Sequence, residues 1–132
     1  MDLRQPLAEL VARVPGAFGA ILVDKDGEDI VLVALPDQTG VEGFSLAEMS
    51  AEERIKLIGA YHTITLRDCL QLAAEFRLGQ TDLLVHRYEA GSILIKAIKG
   101  GYALMLVLQP DSVIGRGLFH LNETSKLISE DL

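Results

Sequence analysis

The apolar residues at the start of the chain first follow a helical spacing and then a strand spacing. Over residues 3–13 they recur at intervals of three and four, which predicts a helix; they are Leu3, Leu7, Leu10 and Val11. Val14 ends this helix, because a residue that precedes proline avoids the helical backbone. Two short apolar runs, at 17–23 and 30–35, then flank an Asp-Gly turn that ends at Gly27, which predicts a β-hairpin.

The middle of the chain predicts one long helix. The sequence SAEE at residues 50–53 has the form of a capping box, in which a serine side chain accepts from a backbone N–H three residues on. The sequence SLAE at residues 45–48 has the same form, so the helix begins at either site. It is predicted to run to about Leu78 and to end at Gly79.

The last third of the chain predicts three strands and a helix. The strands cover 81–89, 92–99 and 102–108 and are joined by glycine-containing turns, which makes them an antiparallel meander. Asp111 is the predicted N-cap of the final helix, in which Gly115 and Gly117 indicate close approach to the sheet. The element order α-β-β-α-β-β-β-α over one domain, residues 1–132, predicts an α+β fold: a five-stranded antiparallel sheet with helices on both faces.

The long helix carries more apolar surface than one sheet can cover. On a helical wheel the apolar arc of residues 55–76 spans roughly 240°, against a common core stripe of about 100°. The polar remainder is narrow and consists of Glu53, Lys56, Thr63, Arg67 and Gln71. A second copy of the same helix would cover the excess in a two-fold dimer. The alternative is that the N-terminal segment or the loop at 36–44 covers it within one chain.

The first strand of the meander supports the dimer, since an apolar edge strand without proline invites pairing with another strand. The predicted dimer interface therefore combines the long helix with this strand. It comprises Ile58, Tyr61, His62, Thr65 and Cys69 on the helix and Leu83, Val85 and Arg87 on the strand.

Composition and charge exclude several classes of function. The net charge of −7 argues against binding to nucleic acid, which needs clustered Lys and Arg. A single cysteine, Cys69, excludes an intrachain disulfide and favours a reducing cytoplasm. The chain shows no signal peptide, and its longest apolar runs are too short to insert across a bilayer.

No group of residues has the spacing of a catalytic or metal site. His62 and Cys69 are seven residues apart on one helix face, but no third ligand lies between them, so helix packing explains them better than metal binding. His86 and His120 have no partner visible in the sequence. The glycines match neither a dinucleotide-binding nor a P-loop motif. We therefore expect no metal, no cofactor and no enzymatic activity.

The chain resembles the roadblock light-chain family, which includes dynein light chains and bacterial partners of a Ras-like GTPase. The resemblance covers about residues 3–128 and rests on VPGAFGAILVDKDG at 14–27, LIGAYHT at 57–63, GSILI at 91–95 and GGYALMLVL at 100–108. It implies a roadblock/profilin-like fold and a homodimer, or a heterodimer with a related chain, joined through the long helices and the third strand. It also implies a platform that binds, and in some cases regulates, a small Ras-like GTPase.

Under this reading Lys56, Arg67 and Gln71 form the predicted docking surface for the GTPase, the alternative being an ordinary solvated helix face. Two other functions stay open. One is a structural subunit of a motor or signalling assembly without a GTPase. The other is a small-molecule sensor, which would need a ligand cavity between the sheet and the long helix, and the aliphatic core argues against it.

Overall fold

A computed structural model of the chain describes residues 2–35 and 49–132. The helices are α1 (Arg4–Arg13), α2 (Ala51–Glu75) and α3 (Ile114–Ser129), and a 3₁₀ turn covers Lys99–Gly101. The strands are β1 (Ala17–Val23), β2 (Asp29–Ala34), β3 (Leu83–Tyr88), β4 (Gly91–Ala97) and β5 (Ala103–Leu108). They form one antiparallel sheet in the order β2-β1-β5-β4-β3, which confirms the predicted fold class.

The sheet separates two apolar cores. α1 and α3 cover one face, where Leu10, Leu22, Leu106 and Leu121 are among the buried residues. α2 covers the other face and packs chiefly on β1 and β2. All six residues of β5 are buried, which explains why that strand is apolar throughout.

Close contact between α2 and β1 depends on a glycine. An added Cβ at Gly59 would lie 2.9 Å from Ile21 Cδ1 and 3.3 Å from Val23 Cγ1, so a side chain there would push the helix away from the strand. The same expectation for α3 is confirmed at Gly117, where an added Cβ would lie 2.9 Å from Leu94 Cδ1. The expectation is wrong for Gly115, because an added Cβ there would have no neighbouring sheet atom within 4 Å.

The predicted helix ends are correct at Val14, which follows α1, and at Ser50, and they are wrong at two other sites. Ser50 caps α2, because its hydroxyl oxygen accepts from the Glu53 N–H at 3.1 Å; residues 45–48 lie outside the described residues. Asp111 does not cap α3, which begins three residues later after an extended Val113 without a side-chain cap. α2 ends at Glu75, because Arg77 rather than Gly79 adopts the first left-handed conformation, with φ of 55°.

The hydrogen bonds around Arg77 form a Schellman motif. The N–H of Leu78 donates to the Ala73 carbonyl at 2.8 Å, and the N–H of Arg77 donates to the Ala74 carbonyl at 3.3 Å. Glycine is the usual residue at the Arg77 position, so the chain ends this helix with a residue that carries a conformational cost.

Candidate self-association surface

The face of α2 directed away from the sheet exposes large apolar side chains. Tyr61 and Phe76 are each 67% exposed, Ile64 is 54% exposed and Leu72 is 51% exposed. A helix that packed only on its own sheet would place polar side chains here. Among the residues that the structure describes, the N-terminal segment does not cover this surface. The loop at 36–44, which was the other possible cover within one chain, lies outside the described residues.

One stripe of this surface has the spacing of a helix–helix contact. Its members repeat at intervals of four and three over five turns, and they are Ile58, His62, Thr65, Cys69, Leu72 and Phe76. The first four are half-buried at the flank of α2, whereas Leu72 and Phe76 are exposed. Tyr61 lies beside the stripe on its solvent side. All five predicted helix residues of the interface thus share one flank of α2, and Leu72 and Phe76 extend it.

β3 forms an outer edge of the sheet, with β4 on one side only. The N–H of Ala97 donates to the Asp82 carbonyl at 3.0 Å, which fixes the alternation of hydrogen bonding between β3 and β4. In an antiparallel pair this alternation directs the N–H and C=O groups of Leu83, Val85 and Arg87 away from β4. The three predicted strand residues are therefore those whose backbone groups are available to another strand.

The side chains of these strand residues do not face α2. Leu83, Val85 and Arg87 pair with Lys96, Leu94 and Ser92, and Leu94 belongs to the core under α1 and α3. Residues paired across an antiparallel ladder share a face, so the α2 side of β3 presents Leu84, His86 and Tyr88 instead. The predicted interface is thus divided between a helix flank and a strand backbone edge.

A cluster of two histidines and a tyrosine joins α2 to β3, and sequence reasoning missed it. His62 Nδ1 lies 2.8 Å from the Ile58 carbonyl oxygen, and His62 Nε2 lies 2.8 Å from the Tyr88 hydroxyl. The His86 ring packs edge-on against the His62 ring, with 5.5 Å between centroids. Burial lowers the pKa of the His62 imidazole below its ordinary value of 6.5, the Ile58 hydrogen bond raises it, and the neighbouring His86 lowers it further.

The three predicted docking residues are exposed but engaged within the chain. Arg67 donates to the Lys25 carbonyl oxygen and contacts Asp26 Oδ1 at 3.4 Å, which ties α2 to the β1–β2 turn. Lys56 Nζ lies 3.5 Å from Asp29 Oδ1. Gln71 donates to Glu75 within the same helix. Lys56 and Arg67 therefore hold α2 against the hairpin.

Thr63 was assigned to the polar face of α2, and this is wrong. Its side chain is buried, its hydroxyl donates to the Gly59 carbonyl at 2.7 Å, and it sits over Gly27 of the β1–β2 turn. A threonine fits an apolar environment in a helix because the backbone carbonyl one turn earlier satisfies its hydroxyl.

The described residues bring together no group of three or more His, Cys, Asp or Glu side chains around a common point. A cleft of about 200 Å³ lies between the α1–β1 turn and the start of α3, and no residue of α2 lines it. This is not the cavity between the sheet and α2 that a small-molecule sensor was expected to have. None of the described helices has the length and apolarity that a membrane crossing would require.

Comparison with solved structures identifies the fold. A roadblock/LC7 domain from Streptomyces avermitilis superposes with a TM-score of 0.78 at 15% identity, covering 97% of this chain and 95% of that one. The chain has the roadblock/LC7 fold. MglB in a tetrameric arrangement matches the roadblock/LC7 fold of this chain with a TM-score of 0.78 at 14% identity, covering 97% and 85% of the two chains. MglC from Myxococcus xanthus matches with a TM-score of 0.69 at 20% identity, covering 100% of both.

No protein-family model matches the sequence, and no curated protein sequence does. The backbone arrangement thus shows the roadblock/LC7 fold at sequence identities of 14–20%.

Proposed function

We propose that this chain is a non-catalytic platform that self-associates through α2 and β3 and, as a dimer, binds a small Ras-like GTPase. The observation that carries the proposal is the exposed apolar flank of α2 beside an unpaired strand edge. Moving half-exposed side chains such as Leu72 and Phe76 out of water would contribute about 1 kcal/mol each.

A two-fold arrangement satisfies both elements at once. The flank stripe has the interval of four and three that helices use when they interdigitate, so two antiparallel α2 helices could pack along it. Pairing of the two β3 edges would satisfy the outward backbone groups of Leu83, Val85 and Arg87. The tetrameric MglB that shares this fold supports self-association as a property of such chains.

The GTPase part of the proposal rests on the family resemblance and on the likeness to MglB and MglC. The engagement of Lys56 and Arg67 with the hairpin makes them a rigid surface rather than free charges. We propose that the GTPase docks on this surface and is regulated by a change of its own conformation, because the described residues bring together no group of three or more His, Cys, Asp or Glu side chains. We further propose that both proteins act in the cytoplasm.

Two measurements test the proposal separately. Sedimentation equilibrium of the purified chain over a wide concentration range is expected to give a dimer; a monomer at high concentration would contradict the first part. Pull-down and single-turnover GTP hydrolysis with the Ras-like GTPase encoded nearest to this chain test the second part. An intact dimer that neither binds that GTPase nor alters its hydrolysis rate would contradict it.

A further inference from the structure

The hydrogen bonds of His62 determine which nitrogen carries the proton when the ring is neutral. The Ile58 carbonyl oxygen can only accept, so Nδ1 carries the proton, and the unprotonated Nε2 accepts from the Tyr88 hydroxyl. Adding a proton at Nε2 would force the tyrosine hydroxyl to turn round and accept, and it would place a positive charge against the His86 ring. The arrangement therefore favours an uncharged imidazole.

No described side chain around this cluster supplies a compensating negative charge. The titratable groups facing His62 are His86 and Tyr88 on β3. The positions one turn away on α2, and the β4 and β5 residues on this face, are uncharged; they are Ile58, Gly59, Thr65, Leu66, Gly91, Ile93, Ile95, Ala103, Met105 and Val107. Arg87, which pairs with Ser92, and Lys96, which pairs with Leu83, lie on the opposite face of the sheet. A proton taken up by His62 would thus have no described carboxylate beside it.

The cluster lies between the α2 part and the β3 part of the proposed interface. His62 belongs to the flank stripe of α2, and Tyr88 and His86 belong to the edge strand. A second copy on this surface would remove water from both rings and bring a second histidine pair to the same interface.

We propose that protonation of His62, in its cluster with His86 and Tyr88, weakens self-association through α2 and β3, which makes the assembly pH-sensitive. The inference rests on the proposed self-association and adds its regulation. Near pH 7.5 His62 is neutral, because burial lowers its pKa below 6.5, and the dimer forms. As the pH falls below about 6.5, the separated copies take up protons more readily than the dimer, so the equilibrium moves toward monomers.

The experiment compares the dimer dissociation constant at pH 7.5 and pH 5.5 by sedimentation equilibrium. Because each dimer holds two His62 side chains that take up protons less readily than those of the separated copies, the wild-type Kd is expected to rise by about tenfold at the lower pH. The double variant H62Q/H86Q is expected to change by less than about twofold over the same range. H120Q, which alters a histidine of α3, is expected to retain the full wild-type response.

Three outcomes distinguish failure of the proposed self-association, of its pH response and of the assignment to His62 and His86. A monomer at both pH values contradicts self-association and the pH response with it. A dimer with the same Kd at both pH values overturns only the pH response. An H62Q/H86Q dimer that keeps the wild-type response overturns the assignment to these histidines. Should the double variant fail to fold, NMR titration of wild-type His62 decides instead: its pKa must be lower at concentrations above the Kd than below it.

Discussion

Arg67 holds the β1–β2 turn by donating two hydrogen bonds to one acceptor, the carbonyl oxygen of Lys25, at nitrogen–oxygen distances of 3.0 and 2.7 Å. A guanidinium presents two donors in a fixed plane, so it can bind one carbonyl oxygen in this way, whereas a lysine amine cannot reproduce the geometry. The contact fixes α2 relative to the hairpin at a point 42 residues away in sequence.

Substitution R67A is expected to lower the free energy of unfolding by about 1 kcal/mol, since the hydrogen bonds are charge-assisted but half-exposed to solvent. Urea unfolding at one fixed protein concentration measures the change. The matched control is Q71A, which removes only an exposed contact with Glu75 and should change stability by less than about 0.5 kcal/mol. Equal effects of the two substitutions would contradict a role for Arg67 in holding the turn.

Substitution R77G is expected to stabilise the chain by about 0.5–1 kcal/mol. Arg77 occupies the left-handed position of the helix end with φ of 55°, which costs a residue with a Cβ more than it costs glycine. Thermal unfolding gives the sign. The reverse control is G79A, where φ of 91° disfavours a side chain although the space is open, so a loss of stability is expected. A destabilised R77G would show that the arginine side chain makes a contribution larger than its backbone cost.

The flank stripe of α2 predicts which apolar residues govern self-association. Substitution L72D is expected to raise the dimer Kd by about 100-fold, because each dimer would bury two carboxylates where it had buried two leucines. I64D is the control: Ile64 has nearly the same exposure but lies outside the stripe. Analytical ultracentrifugation distinguishes them. A dimer disrupted by I64D and not by L72D would place the contact on another side of the helix.

The edge of β3 predicts an unusual tolerance of proline. Val85 directs its N–H away from β4, so V85P removes no hydrogen bond within the monomer but blocks pairing with a second β3. We expect a folded monomer by circular dichroism and light scattering. H86P should unfold the strand, because His86 lies in a hydrogen-bonded pair with Ile93. A fully dimeric V85P would rule out strand pairing at this edge.

The sequence predicts the fold well because the periodicity of the apolar residues is local. The five strands, the three helices and the edge position of β3 all follow from runs of six or more residues. The excess apolar surface of α2 is also visible, since a helical wheel needs no tertiary information.

What the sequence does not reveal depends on contacts between distant residues. Tyr88 binds a histidine 26 residues earlier, and Arg67 binds a carbonyl 42 residues earlier, and no spacing rule connects such pairs. Thr63 was misassigned because its hydroxyl is satisfied by the helix backbone, so polarity alone does not reveal its burial. Leu83, Val85 and Arg87 share one face of β3, but only the β3–β4 register shows that their side chains point away from α2 while their backbone groups point away from β4.

The two edges of the sheet differ in their protection. The N–H of Leu35 donates to the Phe18 carbonyl of β1. Because hydrogen bonding to the neighbouring strand alternates along an antiparallel strand, the Leu32 carbonyl of β2 points away from β1. Arg4 Nη1 of α1 donates to this outward carbonyl at 3.2 Å. In a dimer joined through β3, the outer strand at each end of the combined sheet would be β2, whose outward Leu32 carbonyl already accepts from Arg4. The proposed pairing through β3 would therefore join two copies and no more, which would limit the elongation of such a chain into a filament.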